Sequence, residues 1–300
     1  MSGNNKRSLS FHFFAVITIL GWACSYVLTK LAMTHFSAMS LGFLRYITAS
    51  AILAAVVFAL KIRRPDKKDR LLFVIAGAFG FSIYMVIFNI GTATVTSATS
   101  STIIATTPIW TAILARIVYK EKLRVLQWLS IFVSFAGILV LSLGNGVLAM
   151  GAGVPWLLLA ALSFSTYNLI QRKLTRKYSG LQASIYSIFA GTVLLAFSLP
   201  AAASEIASAS FTQIVYVISL GVFPSAVGYA AWSVAAKRAP NLSSASNYLF
   251  LTPFIASLFG FALADEVPDA ATLLGGALVI SGMIAFSLAG RKQGRAAPRR

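Results

Sequence analysis

The chain has 300 residues, of which 58% are hydrophobic and only 11% are charged, and its mean hydropathy is +0.82. A soluble domain is roughly 45–50% apolar and about 25% charged, so this composition excludes a single water-soluble core and predicts a lipid bilayer around most of the chain. The formal net charge is +18, but Lys and Arg lie in short clusters between apolar runs, which indicates membrane topology and argues against a nucleic-acid partner.

Ten apolar runs are long enough to cross a bilayer as helices of about 20 residues. They are continuous, which favours helices over the alternating strands of a barrel. The first run exceeds the roughly 7–15 apolar residues of a signal peptide and is interpreted as a membrane helix. The predicted fold is an all-α polytopic membrane protein with ten transmembrane helices, near residues 11–33, 39–60, 71–90, 96–118, 125–143, 153–171, 181–200, 211–235, 241–263 and 269–290.

Basic residues occur in every second connection between these spans. Of the 25 Lys and Arg residues, all except Lys30 and Arg45 fall in the N-terminal segment, in the connections after helices 2, 4, 6 and 8, or in the C-terminal segment. Because cytoplasmic loops of membrane proteins are enriched in Lys and Arg, both termini are predicted to be cytoplasmic.

The two halves of the chain repeat the same pattern. The blocks "TPIWTAILARIVYKE" and "TPFIASLFGFALADE", with a later glycine, match at a constant offset of 145: Pro108 with Pro253, Glu121 with Glu266, and Gly137 with Gly282. Hydrophobic helices always align weakly, but three such coincidences at one offset favour duplication. Five spans is an odd number, so the second half enters the membrane from the opposite side. The predicted domains are residues 1–147 and 148–300.

These blocks, the ten spans and the opening "GWACSYVLTK" resemble the drug/metabolite transporter superfamily, EamA type, over nearly the whole chain. The resemblance is greatest to the bacterial aromatic amino-acid exporters. It implies two inverted five-helix repeats in the bacterial inner membrane, and a central cavity lined by helices 1–4 and 6–9 with helices 5 and 10 outside it. It also implies export of amino acids or similar small metabolites by alternating access.

Helices 1 and 6 carry polar and aromatic residues on one face each. Both use the spacing i, i+3, i+4 and i+7, with Trp22, Ser25, Tyr26 and Thr29 in helix 1 and Phe164, Tyr167, Asn168 and Gln171 in helix 6. Polar groups inside a membrane are costly, so they indicate a shared cavity. The candidates for substrate contact are Trp22, Tyr26, Tyr167 and Asn168. The alternative is helix–helix hydrogen bonding with aromatic anchors at the membrane interface.

Helices 3 and 8 combine aromatic residues with helix-breaking positions. The candidates for substrate contact here are Phe79, Tyr84, Phe88 and Trp232. Proline and glycine interrupt helices, and interruptions at matched depth in two repeats point to a transporter site or a hinge. The predicted hinges or helix breaks are Gly77, Gly80, Pro108, Pro224, Gly228 and Pro253. Close packing through small residues is the alternative for the glycines.

The strip "GTATVTSATSST" is rich in hydroxyl groups although it lies between two apolar runs. Its first part is predicted to be a loop after helix 3 and its second part the first turns of helix 4. The segment "NLSSASNY" before helix 9 aligns with it, so Ser101 corresponds to Ser246, and Asn247 follows. These three residues are candidates for substrate contact, although such hydroxyls also bond backbone carbonyls.

No Asp or Glu lies inside a predicted span, whereas a proton-coupled exporter of cations needs a membrane carboxylate. Aromatic and amide groups instead suit a small neutral or zwitterionic organic substrate, and uniport is the expected mode. Arg45 lies about 9 Å inside helix 2, at 1.5 Å per residue. It either reaches to the interface or binds a substrate carboxylate, whereas Lys30 is expected to extend to the interface.

No metal site, cofactor or catalytic centre is expected. The single cysteine excludes an internal disulfide, the two histidines lack a second ligand at metal spacing, and no phosphate-binding loop or nucleophile motif occurs. A ladder of small residues in helix 10 allows close helix packing, so the chain is expected to be a monomer or a homodimer. Two alternatives remain: a proton-coupled exporter of other metabolites or drugs, and a non-transporting scaffold.

Overall fold

The computed structural model describes residues 2–144, 153–239 and 248–296. This part of the chain is helical and contains no strand. Eight of its helices are long and apolar enough to cross a membrane, and two are shorter, which confirms the predicted all-α polytopic fold. The helices are α1 (Ser2–Ala32), α2 (Ala38–Ala59), α3 (Lys67–Thr94), α4 (Ser97–Tyr119), α5 (Val125–Gly144), α6 (Gly153–Leu174), α7 (Gly180–Ala207), α8 (Phe211–Arg238), α9 (Thr252–Ala264) and α10 (Ala270–Ala296).

Helices α3 and α7 extend beyond their predicted ends. Residues 91–94, the first part of the strip, form the last turn of α3 and not a loop. The connection to α4 is short, since Thr96 is already the N-cap of α4. Helix α7 continues beyond Pro200 through a short 3₁₀ turn. Pro200 lies in the first turn of the helical segment that follows. Backbone N–H groups of a first turn have no acceptor within the helix, so the N–H that proline lacks is not missed there, and Pro200 does not end the span. Residues 241–247 of the predicted ninth span lie outside the described residues.

Helices α3 and α8 contain matched π-helical segments, at Ala78–Ser82 and Gly221–Val227. Gly77 precedes the first segment, and Gly80 lies within it. Pro224 lies within the second segment, and Gly228 follows it. Pro108 and Pro253 each stand in the first turn of a helical segment, after a break in α4 and at the start of α9. All six predicted break positions therefore adjoin irregular backbone.

Packing exchanges partners between the repeats. Helix α1 packs against α8 and α9, whereas its counterpart α6 packs against α3 and α4. Helices α5 and α10 pack along each other, with Gly137 against the backbone of Gly275. This exchange is what two interlocked inverted repeats produce. The predicted boundary between residues 147 and 148 lies outside the described residues.

The two ends of the bundle differ in charge. We call the end with the α2–α3, α4–α5 and α6–α7 connections the basic end, and the other the opposite end. At the basic end, Lys177 pairs with Asp66 at 2.5 Å and the Tyr178 hydroxyl donates to Asp69 at 2.6 Å. At the opposite end, the Ser37 N–H donates to Glu205 at 2.9 Å. Each contact joins one repeat to the other.

Candidate substrate cavity

A cavity of about 1780 Å³ enters the bundle from the basic end. Its mouth is lined by Glu121, Arg172, Lys237 and Arg238, which are exposed. Its inner end is lined by buried residues of four helices, namely Tyr26, Arg45, Phe88 and Ser101. Helices α1–α4 and α6–α9 line it, as the family resemblance implies, and α10 adds Met283, Phe286 and Ser287. The expectation that helix 10 lies outside the cavity is therefore wrong, because α10 packs along α4.

A continuous series of aromatic rings runs along the wall of the inner cavity. Successive ring centroids are 4.9–5.6 Å apart, within the range of favourable aromatic pairs. The series starts in α1, passes through α3, α6, α3 and α8 to a second residue of α1, and ends in α8. We call it the aromatic belt; in order, it consists of Tyr26, Phe88, Tyr84, Phe164, Tyr167, Phe81, Tyr229, Trp22 and Trp232. All of these except Phe81 line the cavity.

The belt unites six predicted substrate-contact residues with three that were not candidates. Trp22, Tyr26, Tyr84, Phe88, Tyr167 and Trp232 are the predicted ones. Phe81, Phe164 and Tyr229 are the additions. Phe164 lies on the face of helix 6 that the helical spacing singled out, and Phe81 lies three residues before Tyr84, on the same face of α3, so the sequence held a signal for both. Tyr229 lies three residues before Trp232, and this i, i+3 relation would have indicated it.

Two glycines make room for the belt. A Cβ atom at Gly80 would lie 2.6 Å from ring atoms of Tyr167, and one at Gly228 would lie 2.9 Å from Nε1 of Trp22. The glycine in the interrupted helix of one repeat thus receives an aromatic ring from the first helix of the other repeat. Close packing, the alternative raised for Gly80, has direct geometric support.

The hydrogen bonds of the polar candidates show which of them still have a polar group free to bind a solute in the cavity. The indole N–H of Trp22 donates to the Pro224 carbonyl at 3.0 Å, which satisfies a carbonyl inside the π-helical segment. The Asn168 amide lines the cavity, and its one hydrogen bond to the described residues is a long contact of 3.4 Å to the Thr111 hydroxyl. Asn168 therefore offers an amide to a solute, whereas Trp22 offers a ring.

Two hydroxyl groups of the strip that were expected near the cavity bond to carbonyls of their own helix. Ser101 donates to the carbonyls of Ser97 and Ala98 at 2.7 and 3.0 Å, and Thr102 donates to Ala98 at 2.7 Å. Such bonds allow hydroxyl side chains to lie buried in a helix. Ser101 lines the inner cavity but has committed its proton. The predicted counterpart of Ser101, Ser246, and the candidate Asn247 lie outside the described residues.

One aromatic candidate is not brought to the cavity. Phe79 is a partly buried member of the hydrophobic core, and its backbone carbonyl accepts a hydrogen bond from Ser163 at 2.7 Å. The physical reason is its position, because five residues separate it from Tyr84 and put the two side chains on different faces of α3.

Arg45 lies at the inner end of the cavity with only 5% of its surface exposed. Its Nε donates to the Ser225 hydroxyl at 2.8 Å, and Nη1 lies 3.6 Å from the sulfur of Met85. Its guanidinium carbon lies 5.8 Å from the ring centroid of Tyr46. The side chain stays within the bundle and does not reach the interface.

Two symmetry-related ion pairs mark the two ends of the bundle. At the opposite end, Lys30 pairs with Glu266 at 2.7 Å, and the Ser97 N–H donates to the same carboxylate at 2.7 Å. At the basic end, Arg172 pairs with Glu121 at 2.7 Å. The glutamates are counterparts at the offset of 145, and each pair joins one repeat to the other. Lys30 was expected to extend to the interface and instead forms this pair.

The pairs differ in exposure. The Glu266 side chain is 8% exposed and ties α1, α4 and α9 together, whereas the Glu121 side chain is 46% exposed at the cavity mouth. Among the described residues, the cavity therefore opens at the basic end, and the pair at the opposite end closes it. Among the described residues, no cluster of His, Cys, Asp and Glu could hold a metal ion.

Comparison with known proteins places the chain among transporters. The model of the EamA-like transporter family matches twice, at residues 9–143 and 151–288. The "Probable terminal-alkyne amino-acid exporter" of Streptantibioticus cattleyicolor is 30% identical over 269 residues, which cover 90% of each chain. The "Uncharacterized transporter YdfC" of Bacillus subtilis is 28% identical and covers 87% of this chain and 86% of its own.

A solved crystal structure has the same fold. It matches with a TM-score of 0.62 at 18% identity and covers 95% of this chain and 98% of the other. The family and the relatives are transporters, not enzymes. With both halves matched by its model, the chain belongs to the EamA-like transporter family.

Proposed function

We propose that this protein exports amino acids, aromatic or other neutral ones, or similar small metabolites across the bacterial inner membrane. The observation that carries the proposal is the cavity, which is open at one end, closed at the other and lined by rings of the aromatic belt. Aromatic walls with a few polar groups suit a small organic solute. The relative named as an amino-acid exporter supports the same substrate class.

The basic end faces the cytoplasm in this proposal. Its connections hold Lys and Arg, whereas the opposite connections hold none, and cytoplasmic loops are the basic ones. Both termini are then cytoplasmic, and the cavity is open to the cytoplasmic pool of solute, as the loading state of an exporter requires.

Alternating access follows from the inverted repeats. The closed end uses the buried pair of Lys30 with Glu266, and the open end carries the exposed counterpart, Arg172 with Glu121. When the repeats exchange conformations, the first pair opens to solvent and the second becomes buried. The irregular backbone in α3 and α8 supplies hinges for this exchange.

Uniport is the proposed mode. Of the cavity-lining residues that the structure describes, only Glu121 is acidic, and it lies at the exposed mouth. A proton-coupled carrier needs a carboxylate that binds a proton and solute in turn inside the membrane. We therefore expect flux to follow the solute gradient and to stay within about twofold when only a pH gradient is imposed.

The test is transport in proteoliposomes made with the full-length protein and a panel of labelled amino acids. We expect saturable flux for at least one neutral member. Replacing Trp232 by Ala removes a belt ring and should lower that flux at least about tenfold, because an aromatic ring carries much of a binding site's contact area. The matched control is Phe132→Ala, since Phe132 is 67% exposed on α5, and it should retain flux.

The absence of saturable flux for every member of the panel would refute the proposal and leave the non-transporting scaffold. If Trp232→Ala and Phe132→Ala behaved alike in folded protein, transport would not use this cavity.

A further inference from the structure

Arg45 is a buried cation without an acidic partner. The chain has seven acidic residues, all within the described part. Four of them pair with Lys30, Lys177 or Arg172. The remaining three lie at the opposite end: Glu205 accepts from Ser37, Asp269 accepts from the Thr272 N–H, and Asp265 follows α9. None of them forms an ion pair with Arg45.

The guanidinium group also has fewer neutral acceptors among the described residues than it has N–H donors. It has five N–H donors, and the described residues give it two acceptors, the Ser225 oxygen and the weakly accepting Met85 sulfur. The Ser225 hydroxyl proton is already donated to the Leu220 carbonyl at 2.9 Å, so Ser225 holds the guanidinium in place. The neighbouring Tyr46 hydroxyl is buried and has no partner among the described residues. The free N–H groups of Arg45 and the Tyr46 hydroxyl therefore lie close together on the cavity wall.

A buried charge is costly unless it is paired and hydrogen-bonded. Because the described protein residues do not supply a counter-charge, a solute that supplies one is bound selectively. A carboxylate matches the planar fork of a guanidinium with two parallel hydrogen bonds. We propose that Arg45 binds the carboxylate of the transported solute; this inference rests on the proposed function and names the group that the site recognises.

The remainder of the cavity sets the rest of the substrate class. The aromatic belt offers π faces to an ammonium group or an apolar side chain, and Asn168 offers an amide. The lining contains an acidic group only at the mouth, so an organic cation without a carboxylate meets the Arg45 charge without compensation. The site thus selects monocarboxylates, zwitterionic amino acids included, and rejects amines.

The test compares three forms of each neutral amino acid in proteoliposomes: the acid, its amide and the amine that lacks the carboxyl carbon. With the wild-type protein we expect saturable uptake of the acid, and at least about tenfold less for the amide and the amine. Arg45→Gln should abolish the preference for the acid. Arg45→Lys keeps the positive charge but cannot make two parallel hydrogen bonds to a carboxylate, so it should retain part of the preference for the acid. Arg116→Gln, which removes an exposed arginine, is the control and should behave as wild type.

The outcomes separate this inference from the proposed function. If no form of any amino acid is transported, the proposed function fails and the inference fails with it. If acids and amides are transported equally well by the wild type, the inference alone fails. If Arg45→Gln does not fold, the comparison of acid, amide and amine with the wild-type protein still tests the inference. A folded Arg45→Gln variant that keeps the wild-type preference for acids would equally overturn the inference.

Discussion

Single residues decide how tightly the aromatic belt closes. Gly80 and Gly228 admit the rings of Tyr167 and Trp22 at distances that no other residue type would allow. The contact joins the two repeats in each case. The role of these glycines is therefore to leave room for an aromatic ring of the other repeat.

Replacing Gly80 by Ala should destabilise the protein. The new Cβ would lie 2.6 Å from ring atoms of Tyr167, and overpacking of this kind costs about 1–3 kcal/mol. Thermal unfolding of the purified protein in detergent measures the effect. Gly276→Ala is the matched control, because its nearest contact is 3.8 Å away, and it should leave the melting temperature unchanged.

Tyr167→Ala provides a second check on the same contact. In its presence the Gly80→Ala substitution should cost much less, since the two side chains then no longer meet. Equal costs in both backgrounds would show that the ring contact is not the reason for glycine at this position.

The residues of the site could be predicted only in part. Helical spacing identified Trp22, Tyr26 and Tyr84, because a one-face pattern is visible in the sequence. Phe79 was selected as an aromatic residue among the helix-breaking glycines of helix 3, but it lies five residues from Tyr84 and therefore on another face of α3. The partners of Arg45 come from α3 and α8, and contacts between helices are not encoded by the spacing within one helix.

At the scale of elements, the two ion pairs and the two π-helical segments form matched sets. The offset of 145 identified Glu121 and Glu266 as counterparts. It did not predict that α1 packs against α9, so Lys30 was not recognised as the partner of Glu266. The π-helical segments were predicted as weak points because glycine and proline are visible, but their form depends on which side chains satisfy the freed carbonyls, as Trp22 does at Pro224.

The two glutamates should differ in their effect on stability. Glu266→Gln removes a buried carboxylate from its pair with Lys30, which is 32% exposed, and we expect a cost between that of an exposed and a buried pair, about 1–3 kcal/mol. Glu121→Gln breaks an exposed pair and should cost less than about 1 kcal/mol. Thermal unfolding of both variants in the same detergent compares them. A cost for Glu121→Gln equal to or above that for Glu266→Gln would contradict the assignment of the closed end.

At the scale of the whole molecule, the sequence was sufficient to predict the fold but not which end of the cavity is open. Ten apolar runs, the alternation of basic connections and one constant offset were sufficient to predict ten helices in two repeats. Which end is open depends on small differences in free energy between two related packings, and these are not visible in a hydropathy pattern. The exposures of Glu121 and Glu266 supply that information.

The central claim is that one solute site is presented alternately to the two sides of the membrane. Counterflow in proteoliposomes tests it most directly: vesicles loaded with a saturating unlabelled amino acid are diluted into a trace of the same labelled compound. The account predicts that label accumulates transiently inside above its external concentration, because each exit of unlabelled solute returns the site to bind label outside. Label that only approaches the external concentration, or does not enter, would contradict it.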